Sequence, residues 1–352
     1  MSYSMLVTDD LNELKTDWSH LFDADLNSYC QDFSFMKGID LFTQKNIFSR
    51  LYFHKLFYYV VKKNEEIVLI APLYVSKRTA CLAGMNASIN YMGFIHGKNL
   101  QESDVIFLFD YLKLKKITNL KTGFILNTDS VIYGIINSLH SKYEITSHES
   151  VNVQLNNNFS SFENYFNSLS KSTRQNYRTS LNRIRKDGRQ YSITYFGGSN
   201  IETQIPSEII LEFLKMHRNR IDSKYMDKNR SKILSCILRP IRRMIYGKQL
   251  KDTVAYCCMK EKNHQLLAML SIDDTPAAFF YGLIQKTRIS FLRVCVDEKN
   301  FGFYSPGMIL GIETIKHFFS EFTVFDFTCG TESYKYKLGC ENNYGKSFVI
   351  SF

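Results

Sequence analysis

The sequence predicts a mixed α/β fold in two domains, and three observations carry that prediction. The chain has 352 residues, more than one hydrophobic core comfortably fills, and at roughly 150 residues per domain it divides into about two. Strand-like runs separated by turn signals, with a helical period after them, recur on both sides of residue 150. The composition, 45% apolar and 22% charged with 28 Phe and 22 Tyr but only five Pro, supplies large core-forming side chains and excludes a disordered or collagen-like chain.

The first half opens with a helical pattern and then reaches LFYYVVKKNEEIVLIAPLYVSKR. Here two apolar, β-rich runs are joined by the polar turn from Lys62 to Glu66, which reads as a hairpin. A further strand falls at Cys81 and Leu82. The glycine-punctuated segment ASINYMGFIHGKN follows, then a helical pattern over 103–114 and a strand region over 117–126. Near His148 the character changes, because SVNVQL alternates as a strand does and runs into the turn-rich Asn156, Asn157 and Asn158. The boundary is drawn there, giving domains 1–150 and 151–352.

The second domain opens with a helix near Ser160 that continues through SLSKSTRQNYRTSLNRIRKDG until Asp187 and Gly188 stop it. Tyr177, Leu181 and Ile184 form its apolar stripe. At about 100° per residue, Lys171, Arg174, Arg178 and Arg185 fall within roughly 60° of one another beside that stripe. Further helices are expected at 208–223 and 231–246, then strands at 253–259, 265–272, 277–284 and 289–296. A loop, a helix at 306–319, a strand at 323–327 and the segment CGTESYKYKLG complete the pattern. A meander that feeds a strand, helix, strand unit is mixed α/β.

The longest apolar stretch, around 67–75, contains Pro72 and falls far short of the roughly 18 residues a membrane-spanning helix needs. The N-terminus carries Asp9, Asp10 and Glu13 where a secretion signal needs basic residues and an apolar run, so a cytosolic protein is expected. Eight cysteines without a C-x-x-C fit neither a disulfide framework nor a zinc site and read as reduced thiols. A formal charge of +10 favours anionic partners: phosphates, nucleic acid or lipid headgroups.

Two segments concentrate chemistry. In DEKNFGFYSPGMILGIETIKHFF, Met308, Ile312, Ile315 and Phe319 keep helical spacing, Ser305 is a natural N-cap and Pro306 a natural first helical residue. Gly302 and Gly307 let the backbone approach a ligand, and the positive end of the helix dipole holds a pyrophosphate without a lysine. The same residues also suit a plain capped helix. In VFDFTCGTESYKYKLG a strand delivers Asp326, Glu332, Tyr334, Lys335 and Lys337 to one loop, a set suited to proton transfer or to a solvated, ion-paired turn. His217, in EFLKMHRNRI beside Leu214 and Ile221, sits at the edge of a buried helix face and is either a general base or a bonded core histidine. The other histidines lack ligand spacing and no H-E-x-x-H, P-loop or G-x-S-x-G occurs, so no metal is expected.

Together these residues resemble the tandem acetyltransferases typified by the CelD/BcsL-like proteins of bacterial polysaccharide clusters, of the GNAT superfamily. The matches are LIAPLYV, LSKSTRQNYRTSLNRIRKDG, FLKMHRNRI, and the stretch from LLAMLSIDDTPAAFFYGLI through FYSPGMILGIETI to FDFTCGTESYKYKLG. The family is similar in turn to the Fem-like aminoacyltransferases. The superfamily loop reads R/Q-x-x-G-x-G/A, whereas here Gly302 and Gly307 stand apart and Asn300 precedes them.

The resemblance implies two tandem GNAT-like domains, each a mixed, mostly antiparallel sheet flanked by helices, with a degenerate first domain and a catalytic second. It implies acetyl-coenzyme A or another acyl-coenzyme A as donor, held by Gly302, Tyr304, Ser305, Gly307 and Met308. The implied acceptor is a small-molecule or lipid-linked amino sugar, met by Arg174, Arg178, Arg220 and Lys335, with peripheral membrane contact left open. His217 or Glu332, with Asp326 also in the set, removes the ammonium proton, and Tyr334 protonates the leaving thiolate. Two other readings remain: a Fem-like transferase that uses aminoacyl-tRNA, and a non-enzymatic nucleic-acid-binding protein.

Overall fold

The computed structural model describes residues 2–45, 55–83, 91–126, 130–198, 205–228 and 265–352, and within them the side chains of all but residues 42, 44, 45, 126 and 219–228. The helix expected at 231–246 and the strand expected at 253–259 lie outside the described residues. In chain order the elements begin with β1 (Tyr3–Thr8), α1 (Lys15–Leu21), α2 (Phe33–Lys45), β2 (Leu56–Lys63), β3 (Glu66–Ser76), β4 (Thr79–Leu82) and β5 (Ile95–His96). They continue with α3 (Glu102–Leu114), β6 (Asn119–Lys121), β7 (Ile125–Leu126), α4 (Val131–Ser138), β8 (Glu144–Asn156), α5 (Phe162–Ser168), α6 (Lys171–Lys186), β9 (Tyr191–Gly197) and α7 (Ser207–Lys228). The last are β10 (Gln265–Ile272), β11 (Thr275–Gln285), β12 (Arg288–Val296), α8 (Glu298–Phe301), α9 (Pro306–His317), β13 (Val324–Cys329), α10 (Ser333–Lys337) and β14 (Glu341–Ser351). These residues fall into two compact units, residues 2–150 with 344–352, and residues 151–228 with 265–343.

In the first unit the sheet order is β1-β2-β3-β4-β6-β14. The first four strands are antiparallel, β4 and β6 are parallel, and β14 closes antiparallel to β6. The expected hairpin is present: Tyr58 faces Pro72 and Val60 faces Ile70, and the turn between them puts Asn64 and Glu65 at φ 50 and 68, the left-handed pair that matches strand twist. Trp18, the only tryptophan, is fully buried, donates its indole N–H to the Gln31 carbonyl at 2.9 Å and meets the Tyr58 ring edge-on at 6.1 Å.

The chain does not open with a helix. Residues 3–8 form an edge strand on β2 with no side chain fully buried, because β-rich YSMLV pairs with a free edge. Three further strands, β5, β9 and β14, lie outside the sequence expectations. β14 begins with polar ENNYGK, which hides the alternation that buries Phe348 and Ile350.

In the second unit the order is β8-β13-β12-β11-β10-β9, antiparallel except for β12 and β13. The helix expected from Ser160 to Lys186 is two helices. Leu169 is extended, and Ser161 and Ser170 each accept an N-cap bond, from the amides of Asn164 and Thr173. One sheet face carries the apolar core: Val153, Leu155, Ile289, Phe291, Phe325 and Phe327 pack with Tyr165, Ile184 and the α9 residues Ile309, Ile312 and Ile315. The alternate residues Asn152, Gln154, Ser290 and Asp326 are buried on the other face, which α7 covers through Phe213 against Phe279 and Tyr281. Each unit is thus a mixed, mostly antiparallel sheet flanked by helices. Among the described residues no helix is long and apolar enough to cross a membrane.

Candidate active site

Strands β12 and β13 pair for only three rungs, Arg288 with Val324, Ile289 with Phe325 and Ser290 with Asp326. Beyond Ser290, β12 runs on to Val296 with no partner on that side, so the two parallel strands part and leave a gap in the sheet. On the other flank, β13 keeps Asp326 opposite Gln154 and Cys329 opposite Asn152, with a bulge between. The bulge contains Thr328 at φ 59, a conformation a β-branched residue rarely adopts. Three contacts hold it. Asp326 Oδ1 accepts the Thr328 amide at 2.7 Å, Thr328 Oγ1 reaches the Phe291 carbonyl at 3.4 Å, and Lys335 Nζ donates to the Thr328 carbonyl at 3.3 Å.

Asp326 is fully buried at the last shared rung. Its other oxygen accepts from Ser290 at 3.1 Å and from Arg288 at 3.4 Å. A carboxylate so engaged fixes where the strands part and is poorly placed to collect a substrate proton. Lys335 is also committed: 2% exposed, it donates to the carbonyls of Cys329 and Gly330 at 3.0 Å each and pairs with Glu332 at 3.0 Å. It acts as a buried clamp on the loop after β13, where an acceptor-binding lysine would stand open. Glu332 is exposed at the N-cap position of α10, and Tyr334 is half-buried with its ring edge-on to Phe327 at 6.2 Å. The neighbouring Cys329 thiol is pushed up to about 11 by burial and by Asp326, against the pull of Lys335, so it stays protonated and is not a nucleophile at neutral pH.

From β12 the chain passes through α8 and the single turn Gly302–Tyr304 into α9. Ser305 holds the N-cap position, but at φ 50, ψ 50 it is left-handed and its side chain makes no cap bond. The expected cap fails because a hydroxyl reaches the first-turn amides from extended backbone, and the preceding turn imposes the opposite hand. Pro306 has no amide hydrogen, and the Ser305 carbonyl accepts those of Met308 and Ile309. The Gly307 amide lies in the first turn, where a helix offers no acceptor, and no acidic residue stands in that turn. A Cβ on Gly307 would meet Val296 at 2.8 Å, so this glycine also lets α9 lie close on the end of β12. Gly302 is exposed and Tyr304 is buried, its hydroxyl donating to Asp187 at 2.8 Å.

His217 is half-buried on α7, its ring 6.1 Å from Phe213, on the sheet face opposite Tyr334. The two proton-transfer candidates therefore flank the sheet from its two sides. Of the basic candidates, Arg174 donates to the Asn167 carbonyl and Arg178 lies over the Phe166 ring at 5.7 Å, both on the outer side of α6. The side chain of Arg220 lies outside the described residues. The buried stripe of α6 is Thr173, Ser180 and Ile184 with Tyr177 half-buried beside it, and the Tyr177 hydroxyl donates to Glu313 of α9.

Sequence reading missed Asn152 and Arg183. Asn152 is fully buried with neither side-chain atom hydrogen-bonded, and a lone Asn in an alternating strand gives no signal for that. Arg183 counted only as part of a basic helix, yet it binds the loop before α9. Among the described residues no cluster of three or more His, Cys, Asp or Glu is arranged to hold a metal.

Residues 255–336 match the family described as "Acetyltransferase (GNAT) domain". This segment contains β10 to β13, α9 and most of α10, so the gap and the loop before α9 lie inside it. Curated protein sequences give no match. Among solved structures the fold is similar to a conserved protein of unknown function from Bacteroides thetaiotaomicron VPI-5482, with TM-score 0.57 and 11% identity over 99% of this chain and 100% of that one. It is similar to the C-terminal domain (DUF2156) of a protein described as a lysylphosphatidylglycerol synthetase from Agrobacterium fabrum, with TM-score 0.55 and 10% identity over 97% and 92%. It is similar also to FemX, with TM-score 0.50 and 10% identity over 100% and 98%. At these identities the likeness is one of fold.

Proposed function

We propose that the protein transfers an acyl group, acetyl in the first instance, from acyl-coenzyme A to an amino group by direct transfer. The acceptor in this reading is a nucleotide-activated or lipid-linked amino sugar of a bacterial surface polysaccharide pathway. The single observation that supports it most is the parting of β12 and β13 beside a helix whose first turn carries no acidic residue, within the segment that matches a GNAT acetyltransferase domain. A narrow gap between parallel strands accepts an extended, amide-bearing arm, and the Gly307 amide at the positive end of α9 suits a diphosphate. The residues present therefore fit coenzyme A. When bound, it supplies the thioester whose acyl carbon is attacked.

In this reading the chain's own groups divide the work by face. His217, on the α7 side, takes the proton from the acceptor ammonium, and Tyr334, on the α9 side, gives a proton to the departing sulfur. Opposite faces suit these roles, because base and acid act on different atoms, the incoming nitrogen and the outgoing sulfur. Glu332 serves as a positioning residue: its carboxylate neutralises Lys335, which holds the bulge carbonyls, while Asp326 fixes the fork itself. Arg174 and Arg178 offer the acceptor's phosphate a basic face. The first unit is read as a degenerate copy.

The rival donor is an aminoacyl-tRNA, favoured by the +10 charge. Calorimetric titration at 50 and 200 mM salt separates the two. Acetyl-coenzyme A presents few phosphates and its affinity falls modestly with salt. A tRNA arm held by six or more phosphate contacts loses about a thousandfold or more. Absence of coenzyme A binding together with tight, salt-steep tRNA binding would overturn the proposal, and tight nucleic-acid binding without transfer would leave a binding module.

A further inference from the structure

Phe303 is the most exposed aromatic side chain beside the candidate site, with 62% of its surface in solvent. Leaving such a ring in water forfeits about 1.5 to 3 kcal/mol relative to burying it. The next residue, Tyr304, does turn inward, to Asp187. Nor is the exposed ring loose. The Arg183 guanidinium lies over it at 4.4 Å and donates to the Phe303 carbonyl at 3.0 Å, and Tyr304 meets it edge-on at 5.4 Å. One ring face is thus backed by a cation and the remaining surface is presented to solvent.

Its surroundings are those a nucleotide needs. Lys186 is exposed three residues after Arg183, so the two share one side of the last turn of α6. Arg189 lies over Tyr304 at 5.5 Å. The Gly307 amide, in the first turn of α9, is four residues along the same loop from Phe303. A flat stacking surface on the loop, two cationic side chains at the end of α6 that packs on it through Arg183, and the mouth of α9 that the loop leads into match a base, a ribose phosphate and a diphosphate.

We propose that Phe303, Arg183 and Lys186 form the adenosine-nucleotide subsite of the donor. The base stacks on the open surface of Phe303, and Arg183 and Lys186 pair with the ribose phosphate. The inference rests on the coenzyme reading above, but its chemistry, a terminal adenosine carrying a phosphate, is common to coenzyme A and to the 3′ end of a tRNA. Because Phe303 is exposed, its replacement leaves the fold intact, which an unchanged melting temperature checks.

The test is calorimetric titration of the full chain with coenzyme A, with 4′-phosphopantetheine, which lacks the adenosine part, and with deacylated tRNA. Wild-type protein, Phe303→Ala, Phe303→Trp and Arg183→Ala are compared. Loss of one base–aromatic stack weakens binding about five- to a hundredfold. The expected result is that Phe303→Ala weakens coenzyme A by such a factor, Phe303→Trp retains it, Arg183→Ala weakens it, and 4′-phosphopantetheine binds all four alike. Coenzyme A affinity unchanged in Phe303→Ala, or equal wild-type affinity for coenzyme A and 4′-phosphopantetheine, overturns the subsite and leaves the coenzyme reading standing. If neither coenzyme compound binds, the coenzyme reading falls. The subsite then survives only if tRNA binds wild type and is weakened in Phe303→Ala, and otherwise falls with it.

Discussion

The two units share a strand order and differ at one helix mouth. β1-β2-β3-β4-β6-β14 and β9-β10-β11-β12-β13-β8 are the same arrangement, and in each the fourth strand leads through a helix into a parallel strand that an antiparallel one closes. In the first unit the helix is α3, whose first turn carries Glu102 and Asp104. Asp104 is fully buried and accepts from the Gln101 amide at 2.8 Å, the Tyr3 hydroxyl at 2.6 Å and Lys63 at 3.3 Å. The chain's own carboxylate fills the place an anion would take. β4 ends at Leu82, one residue past its last rung with β6. In the second unit the mouth of α9 has no acid, and β12 extends well past its last rung. Among the described residues the two units therefore differ at the helix entry, where α3 carries a buried acid and α9 carries none.

The comparison breaks first on chemistry. His217→Ala should lower the transfer rate by roughly 100- to 10,000-fold, the range for removal of a positioned base. Thiol release under saturating donor reads it. A wild-type rate would remove His217 from the mechanism and pass the role to Glu332, and Glu332→Gln would then show the large loss in its place.

The next effect transplants the difference itself. Met308 stands at the third position of α9, as Asp104 does in α3. Met308→Asp should weaken coenzyme A binding by about 100-fold, since two unit charges about 4 Å apart at an effective dielectric constant near 20 repel by about 4 kcal/mol and salt reduces that. The melting temperature should fall modestly, because Met308 packs half-buried against the core and the favourable place of an acid at a helix N-terminus offsets only part of that loss. Undiminished affinity would mean that the phosphates lie elsewhere.

Asp104→Asn is the reciprocal change and should act on stability alone. It weakens three hydrogen bonds to a buried group and leaves Lys63 without its buried counter-charge, a loss of about 1 to 3 kcal/mol. Trp18, buried in the first unit, reports its unfolding by fluorescence. Coenzyme A affinity should not change. A gain in affinity would show that the first unit retains a usable anion site and is not merely degenerate.

Legibility in the sequence follows the same divide. The hairpin around Asn64 and the meander β10 to β12 were readable because their apolar runs and turn residues are local signals. β1 and β14 were not, since an edge strand with exposed side chains and a strand that opens on six mostly polar residues carry little periodicity. The loop and helix at Pro306 were legible as a unit, but the left-handed Ser305 depends on the turn before it and no cap rule foresees it. Lys335 looked like a surface lysine. Its burial follows from the bulge at Thr328, whose carbonyls need a donor, and a bulge is invisible without the neighbouring strand.

The smallest effect concerns pH and lies in the first unit. The carboxyl of Asp40 is pushed up to about 6, chiefly by burial, with Asp10 and Asp9 adding to the rise and a hydrogen bond from Tyr58 opposing it. The folded chain thus holds this proton more tightly than the unfolded chain, so the group favours folding most below about pH 4 and loses that contribution as pH climbs through 6. His96, pulled down by burial, works in the opposite direction, losing stability on acidification, so wild type alone would show a blunted profile. Asp40→Asn isolates the carboxyl's contribution. Because Asp40 is only half-buried, solvent screening keeps it to about 1 kcal/mol or less. The variant should be the more stable at pH 7, with the gap in Trp18-detected midpoint closing as pH falls from 7 to 4.5. A gap that stays constant across that window would place the titration elsewhere and leave the two units alike in their response to acid.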